Sequence, residues 1–321
     1  MDIATGVSII LNRWLSVRRG ELILLVTDEA HTREAEAFDR WARGADAVLK
    51  TLMLPRGAVQ DGGVIEEAAP LLKSANAIIG ATDFSFITTR AVAEAVQAGA
   101  RFLSLPLSCR DGTSLLENDF IGMDPAWTKH AGSRLLRHLN RADEIHVTTR
   151  AGTDLLFRKR GRQGGLYCGQ AERRGIVSSA SFEVYVPIEE HKTEGRLVLD
   201  GSFGYLGLVS RPLAVKFREG RLICPRDTED GRRLLDYMDA FRSPNMYQAA
   251  EFGIGLNTIS RCRGVSYIED ESAYRTFHIG MGRNITLGGQ QEAAGHFDIV
   301  THRPTIEAGG TVLMQDGEIV I

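Results

Sequence analysis

The feature that most constrains this chain is a change of texture near residue 142. Before it, short apolar runs alternate with stretches of helical spacing. "ELILLVT" (21–27), "AVLKTLML" (47–54), "NAIIGAT" (76–82) and "ARFLSLP" (100–106) read as buried strands, and "AHTREAEAFDRWARGA" (30–45), "GVIEEAAPLLKSA" (63–75) and "TTRAVAEAVQAG" (88–99) as the helices between them. Such β-α-β alternation implies a mostly parallel sheet covered by helices. A long helical stretch (126–142) closes this half. Beyond it come strand-like runs separated by Gly-rich turns, at 144–150, 153–160, 183–189, 195–204 and 213–223, with one clear helix at 228–243. The expected fold is therefore α/β: an N-terminal parallel α/β domain over 1–142, then a β-rich α+β domain over 143–321.

Composition narrows the function classes. The 321 residues carry a formal net charge of -3, so no basic excess is present to neutralise phosphates, and nucleic acid is not an expected partner. Cys109, Cys168, Cys224 and Cys262 are far apart and form no CxxC pair, so neither a thiolate zinc site nor a disulfide framework is indicated, and a cytoplasmic location is expected. The apolar N-terminus is interrupted by Asn12 and Arg13 and reads as an amphipathic helix, not a membrane span. The N-terminal half has neither GxGxxG nor GxxxxGK[ST], which leaves a dinucleotide or P-loop site without support. Asp28 and Asp83 end predicted strands, where open α/β sheets place ligands, but an Asp just before a helix is ordinarily an N-cap, and both are expected to be caps. His31, His130, His138, His146 and His191 read as structural or exposed. His302, at even spacing from His296, is a candidate supporting residue.

The chemistry lies in four stretches of the second half. In an extended strand, side chains alternate between faces. "SFEVYV" (181–186) puts Glu183 and Tyr185 on one face; "AEFGIGLN" (250–257) puts Glu251, Gly253 and Gly255 together; "TFHIGMGRN" (276–284) does so with His278, Gly280 and Gly282; "GHFDIV" (295–300) aligns His296 with Asp298. Bulky apolar residues occupy each opposite face. A merely solvated face would carry Lys, Thr, Ser or Gln and would have no use for repeated glycine, which weakens a strand unless something approaches the backbone closely. A buried ion-pair network would need Arg or Lys, and carboxylates and histidines outnumber Arg275 and Arg283 here. A metal site accounts for both the ligands and the glycines.

At these stretches the chain resembles the metallo-aminopeptidase family of aminopeptidase T and aminopeptidase S, which includes 2,5-dihydroxypyridine 5,6-dioxygenase-like members. The resemblance covers mainly residues 142–321. It rests on "FEVYV", "AEFGIGLN", "FHIGMG" and "HFD", with "RAGTDLLF" (150–157) and "PTIEAGGTVLMQDGEIV" (304–320) flanking them. It implies that Glu183, Glu251, His278, His296 and Asp298 ligate a two-metal site, and that the protein is a homodimer through its C-terminal domain. In the dioxygenase relative, one non-haem iron is held by two histidines and an aspartate that include the HxD pair. The peptidases place a tyrosine seven residues after the histidine of the third motif, where it orients the scissile carbonyl or stabilises the oxyanion; here that position is Ile285. Arg283, Asn284 and the Gly288–Gly289 backbone are the nearest substitute donors in sequence.

The ligand set carries two mechanisms. Three carboxylates and two imidazoles without thiolate suit zinc, cobalt, manganese or iron(II). Five ligands suit two ions about 3.5–4 Å apart, bridged by a carboxylate, expected to be Glu251, and by a water that attacks a carbonyl. Glu183 is then a terminal ligand or the general base. If Glu183 does not touch the metal, two histidines and a carboxylate remain for a single iron(II). The expected reaction is amide hydrolysis of a small molecule or short peptide; the alternatives are ring opening of a dihydroxypyridine-like aromatic by an iron dioxygenase, or a metal-free binding protein on the same scaffold. Arg150 and Asp154, around a Gly-Thr turn, are read as closing that turn.

Overall fold

A computed structural model of the chain describes residues 1–57 and 63–321. The described residues form two compact units, one of Met1–Pro125 with Tyr167–Ala180, the other of Ala126–Leu166 with Ser181–Ile321. The division thus does not fall at a single cut near residue 142. The helix Pro125–Leu139 sends Leu135 and Leu139 into the apolar core of the second unit, and residues 167–180 return to the first.

The first unit is built on a parallel sheet in the order Val48–Leu54, Leu22–Asp28, Ala77–Ala81, Arg101–Ser104, Val177–Ser179. Its inner strands are apolar without alternation because both faces are covered: Ile23 to Val26, Ile78 and Ile79, and Phe102 and Leu103 are all buried. Helices Thr32–Gly44 and Arg90–Gln97 follow the first and third strands of the alternation. The run 63–75 forms two short helices, Gly63–Glu67 and Ala69–Lys73, because Pro70 sits in the first turn of the second and cannot continue the first. Val177–Ser179 joins the sheet edge from far along the chain, a pairing that no local pattern announces.

The second unit contains an eight-stranded sheet and, facing it, the strands His296–His302, Thr276–Gly282, Ala249–Gly255 and Phe182–Pro187, antiparallel and side by side in that order. The period-two pattern of these four strands does what alternation predicts. Val184, Val186, Phe252, Ile254, Phe277, Ile279, Phe297 and Ile299 pack into one core with Ile145, Phe157, Leu197 and Val215 of the larger sheet. Phe157 and Phe252 meet across the core with ring centroids 5.3 Å apart. The run 213–223 is a hairpin, Leu213–Arg218 and Arg221–Ile223, because Glu219 (φ 50°) and Gly220 (φ 71°) form the two-residue turn with positive φ that matches strand twist. Among the described residues, no helix is long and apolar enough to cross a membrane.

Candidate metal centre

Register, not only alternation, assembles the site. Glu251 pairs with Gly280, and Gly280 with Asp298; Gly253 pairs with His278, and Gly255 with Glu183. Directly paired residues of antiparallel strands project to the same face. All five expected ligands therefore meet on the face opposite the core. Among the described residues of this unit, the groups of potential metal ligands whose donor atoms lie within 4.8 Å of one another are Glu183–Glu251–His278 and Glu251–His296–Asp298. Glu251 is common to both. The two histidines fall in different trios, so the geometry offers one imidazole and two carboxylates to each position, and not the two imidazoles and one carboxylate expected for a single iron.

A kink in one strand makes Glu251 available. Ala249 faces the core opposite Met281, whereas Glu251, two residues on, faces the centre opposite Gly280. A regular strand would project both to the same side; the bulge at Ala250 changes sides between them. The glycines have a use other than the one expected. It is the neighbouring imidazoles that approach the backbone: a Cβ on Gly253 would lie 1.8 Å from His278 Nε2, and one on Gly280 would lie 2.7 Å from His296 Cε1.

The centre is buried. Glu183, Glu251, His278 and Asp298 are 5%, 4%, 1% and 7% exposed. His278 Nε2 stands 2.7 Å from Glu183 Oε2, and Ser181 Oγ donates to the other oxygen of that carboxylate at 2.6 Å. His296 Nε2 lies 3.2 Å from Glu251 and 3.5 Å from Asp298, while its Nδ1 donates to the Arg283 carbonyl at 2.8 Å. That bond fixes the tautomer and leaves Nε2 for the two carboxylates or an ion. Burial opposes a charge on His278, but Glu183 outweighs it and lifts the imidazole to about 9. Burial likewise opposes charge on His296, and Asp298 and Glu251 overcome it, raising that imidazole well above its ordinary value. Burial, with the Asp298 and Glu183 charges beside it, raises Glu251 against the pull of His296, whereas at Asp298 the push of burial is overcome by His296 and the carboxyl is lowered.

A further carboxylate escaped the sequence reading. Glu271 lies on the helix Tyr267–Ser272, all six residues of which are buried. Burial, then Asp298, Glu183 and Glu251 around it, hold its carboxyl well above the usual range. "YIEDES" reads as a solvated charged run. Its only signal was its place between two ligand strands.

These residues fit a divalent cation. Four buried carboxyl groups surround two imidazoles; ionised together they would carry more negative charge than two imidazolium ions offset, and a divalent cation supplies the missing positive charge. His278 Nδ1, Asp298 Oδ1 and Glu271 Oε2 are buried without a hydrogen-bond partner. Oxygen and nitrogen donors without thiolate suit zinc, manganese, cobalt or iron(II).

Other candidates lie elsewhere. Asp28 caps the turn Glu29–His31 through Ala30 N–H, as expected, and its second oxygen accepts from Asp83 N–H. Asp83 is not a cap: Thr89 occupies the N-cap of the next helix, and Asp83 instead pairs with His31 at 3.0 Å and Arg56 at 3.2 Å. His31 is thereby buried, in a trio that its own hydrogen bonds satisfy. Arg150 pairs with Asp316, and Asp154 with His146, in exposed pairs. His302 donates its backbone N–H to Asp200. Ile285 is 41% exposed. Of the substitute donors, Asn284 is not available: its Nδ2 donates to Glu190 and to the Ala250 carbonyl. The Gly288 and Gly289 N–H groups are bonded to Ile285 and Asn284 carbonyls.

No curated protein matches the sequence. In fold, the chain is similar to 2,5-dihydroxypyridine dioxygenase from Pseudomonas putida KT2440, with a TM-score of 0.79, 16% identity and coverage of 100% of this chain and 98% of that one. It is also similar to AmpT from Thermus thermophilus, with a TM-score of 0.68, 16% identity and 99% of each chain covered. At those identities the likeness is one of fold. The model of the family described as NicX, 2,5-dihydroxypyridine 5,6-dioxygenase, matches residues 16–321, nearly the whole chain, and the protein belongs to that family.

Proposed function

We propose that this protein is a metal-dependent ring-opening dioxygenase acting on a dihydroxypyridine-like aromatic. The observation that carries the reading is the match of residues 16–321 to the dioxygenase family. Glu251, His296 and Asp298 would hold one iron(II), His296 through Nε2, since its Nδ1 is bonded to the Arg283 carbonyl. Iron(II) there would supply redox chemistry between an aromatic diol and dioxygen held side by side. One dioxygen is consumed per substrate, both its atoms enter the product, and one ring carbon–carbon bond breaks. Glu183 and His278, outside that trio, form a buried acid–base pair. With His278 lifted to about 9, its Nε2 holds a proton against Glu183 Oε2 at neutral pH and can pass it to substrate oxygen. The test is oxygen uptake by iron-loaded protein on 2,5-dihydroxypyridine, with no uptake by the metal-free form.

A second reading is favoured by one observation, that Glu251 belongs to both trios. Two ions bridged by Glu251 would activate a water for attack on an amide carbonyl, with Glu183 and His278 on one ion and His296 and Asp298 on the other. Ile285 cannot donate to a developing oxyanion, and three of the four neighbouring substitutes are committed to other bonds. Loss of one such donor costs about 10²–10³ in rate. Under this reading the protein turns over simple aminoacyl amides poorly and Ile285→Tyr improves it. Fast turnover of leucyl amides by the unmodified protein with zinc, cobalt or manganese would favour hydrolysis over ring opening.

A further inference from the structure

The two metal trios depend on two backbone features that lie outside them. One is the bulge at Ala250, which turns Glu251 away from the core. The other is the Arg283 carbonyl, which takes the Nδ1 proton of His296. A single side chain touches both regions. Asn284, fully buried, donates from Nδ2 to the Ala250 carbonyl at 2.9 Å and to Glu190 Oε1 at 3.0 Å, and its Oδ1 accepts from Gln291 N–H at 2.9 Å. Its own backbone follows Arg283 directly. Arg283 N–H donates to the Gly295 carbonyl at 2.8 Å, beside His296.

Asn284 is itself held. Glu190 accepts two parallel bonds from Arg162, each 2.9 Å, and one from Gln290 N–H at 2.8 Å. Such bidentate pairs fix direction as well as strength. There is no slack on the far side, since a Cβ on Gly289 would stand 2.1 Å from the Asn284 amide. The bulged residue, whose carbonyl is outside the ladder with the His278 strand, has its carbonyl taken by Asn284 and by Ile188 N–H.

We propose that Asn284, clamped by Glu190 and Arg162, is a positioning residue for the metal centre: it locks the Ala250 bulge that presents Glu251 and the loop whose Arg283 carbonyl orients His296. This rests on the trios being the metal centre and holds for either reaction. A residue supporting metal ligands in this way typically contributes 10–100-fold to metal affinity.

The test is cobalt(II) binding to protein freed of metal, followed by competition with a chelator and by the visible spectrum of the bound ion. Asn284→Ala should remain folded by circular dichroism, bind cobalt about 10- to 100-fold more weakly, and show an altered cobalt spectrum. Glu190→Gln should move both in the same direction. A merely structural role would lower the melting temperature and leave the affinity and spectrum of the folded protein unchanged, and that result overturns the proposal. If Asn284→Ala does not fold, Asn284→Ser, which keeps a small polar group but cannot span to both partners, is read by the same two outcomes. If the unmodified protein binds no cobalt, the metal-centre reading fails and the relay with it. If it binds and Asn284→Ala binds equally, the relay alone fails.

Discussion

The imidazole of His278 lies over the backbone of Gly253, so closely that a methyl group on that Cα would stand 1.8 Å from Nε2. His296 has the same relation to Gly280 one strand over, at 2.9 Å from its Nε2. Each histidine is thus matched to a glycine directly or diagonally across the ladder. Gly280→Ala should push His296 away from Glu251 and Asp298 and lower metal affinity at least 10-fold, with the fold retained at reduced stability. Metal analysis of protein purified without chelator, set beside circular dichroism, checks this. A Gly280→Ala protein with full metal content would mean that the glycine is incidental.

His296→Ala removes the only imidazole of its trio. We expect the variant to lose metal from that trio while staying folded, because the side chain is at the edge of the cluster, 16% exposed, and not in the core between the sheets. Retention of the unmodified protein's metal content would return the His296–Asp298 pair to an ordinary polar face.

The metal-free protein should show a characteristic dependence on pH. His278 is raised from 6.5 to about 9 by Glu183 acting against burial. A histidine whose folded value is raised stabilises the fold fully below its unfolded value, and that contribution disappears as pH climbs through the folded one. Stability after chelation should therefore decline between about pH 6.5 and 9. Metal must displace a proton from His296, whose imidazole is also raised, so metal affinity should rise with pH. Melting temperatures at pH 6 to 9.5, with and without metal, measure both slopes. A metal-free protein that gains stability across that range contradicts the assignment of a shared proton to Glu183 and His278.

Glu190 gives the opposite sign. Burial alone would raise its carboxyl, but Arg162, with Gln290 and Asn284, outweighs this and holds it at about 2. A depressed carboxylate stabilises above its unfolded value near 4.5 and loses that contribution as pH falls toward 2. Glu190→Gln should flatten the acid limb of the stability curve, as measured by denaturant unfolding at pH 5 and pH 3. An unchanged difference between those two pH values would show that Glu190 is not the group responsible.

Much of the centre was readable because its strands keep strict alternation over a core of Phe, Ile and Val, so that Glu183, Glu251, His278, His296 and Asp298 had to share a face. The glycines pointed to close approach, but not to what approaches, because cross-strand neighbours depend on register. The Ala250 bulge could not be seen, since nothing in "AAEF" marks where pairing slips. Glu271 was hidden by a charged run that the fold buries. Asn284 looked like a free amide because the partners it serves, Glu190 and Ala250, are 94 and 34 residues away. Asp83 was misread as a cap because its partners, His31 and Arg56, lie 52 and 27 residues away.

The central claim is the ring-opening reaction, and the most direct measurement is simultaneous: metal per chain, and oxygen consumed, for iron-loaded protein given 2,5-dihydroxypyridine. The account predicts one iron per chain at saturation, one dioxygen consumed per substrate, and loss of both in His296→Ala. Two zinc or manganese ions per chain, no oxygen uptake and hydrolysis of an amide would contradict it.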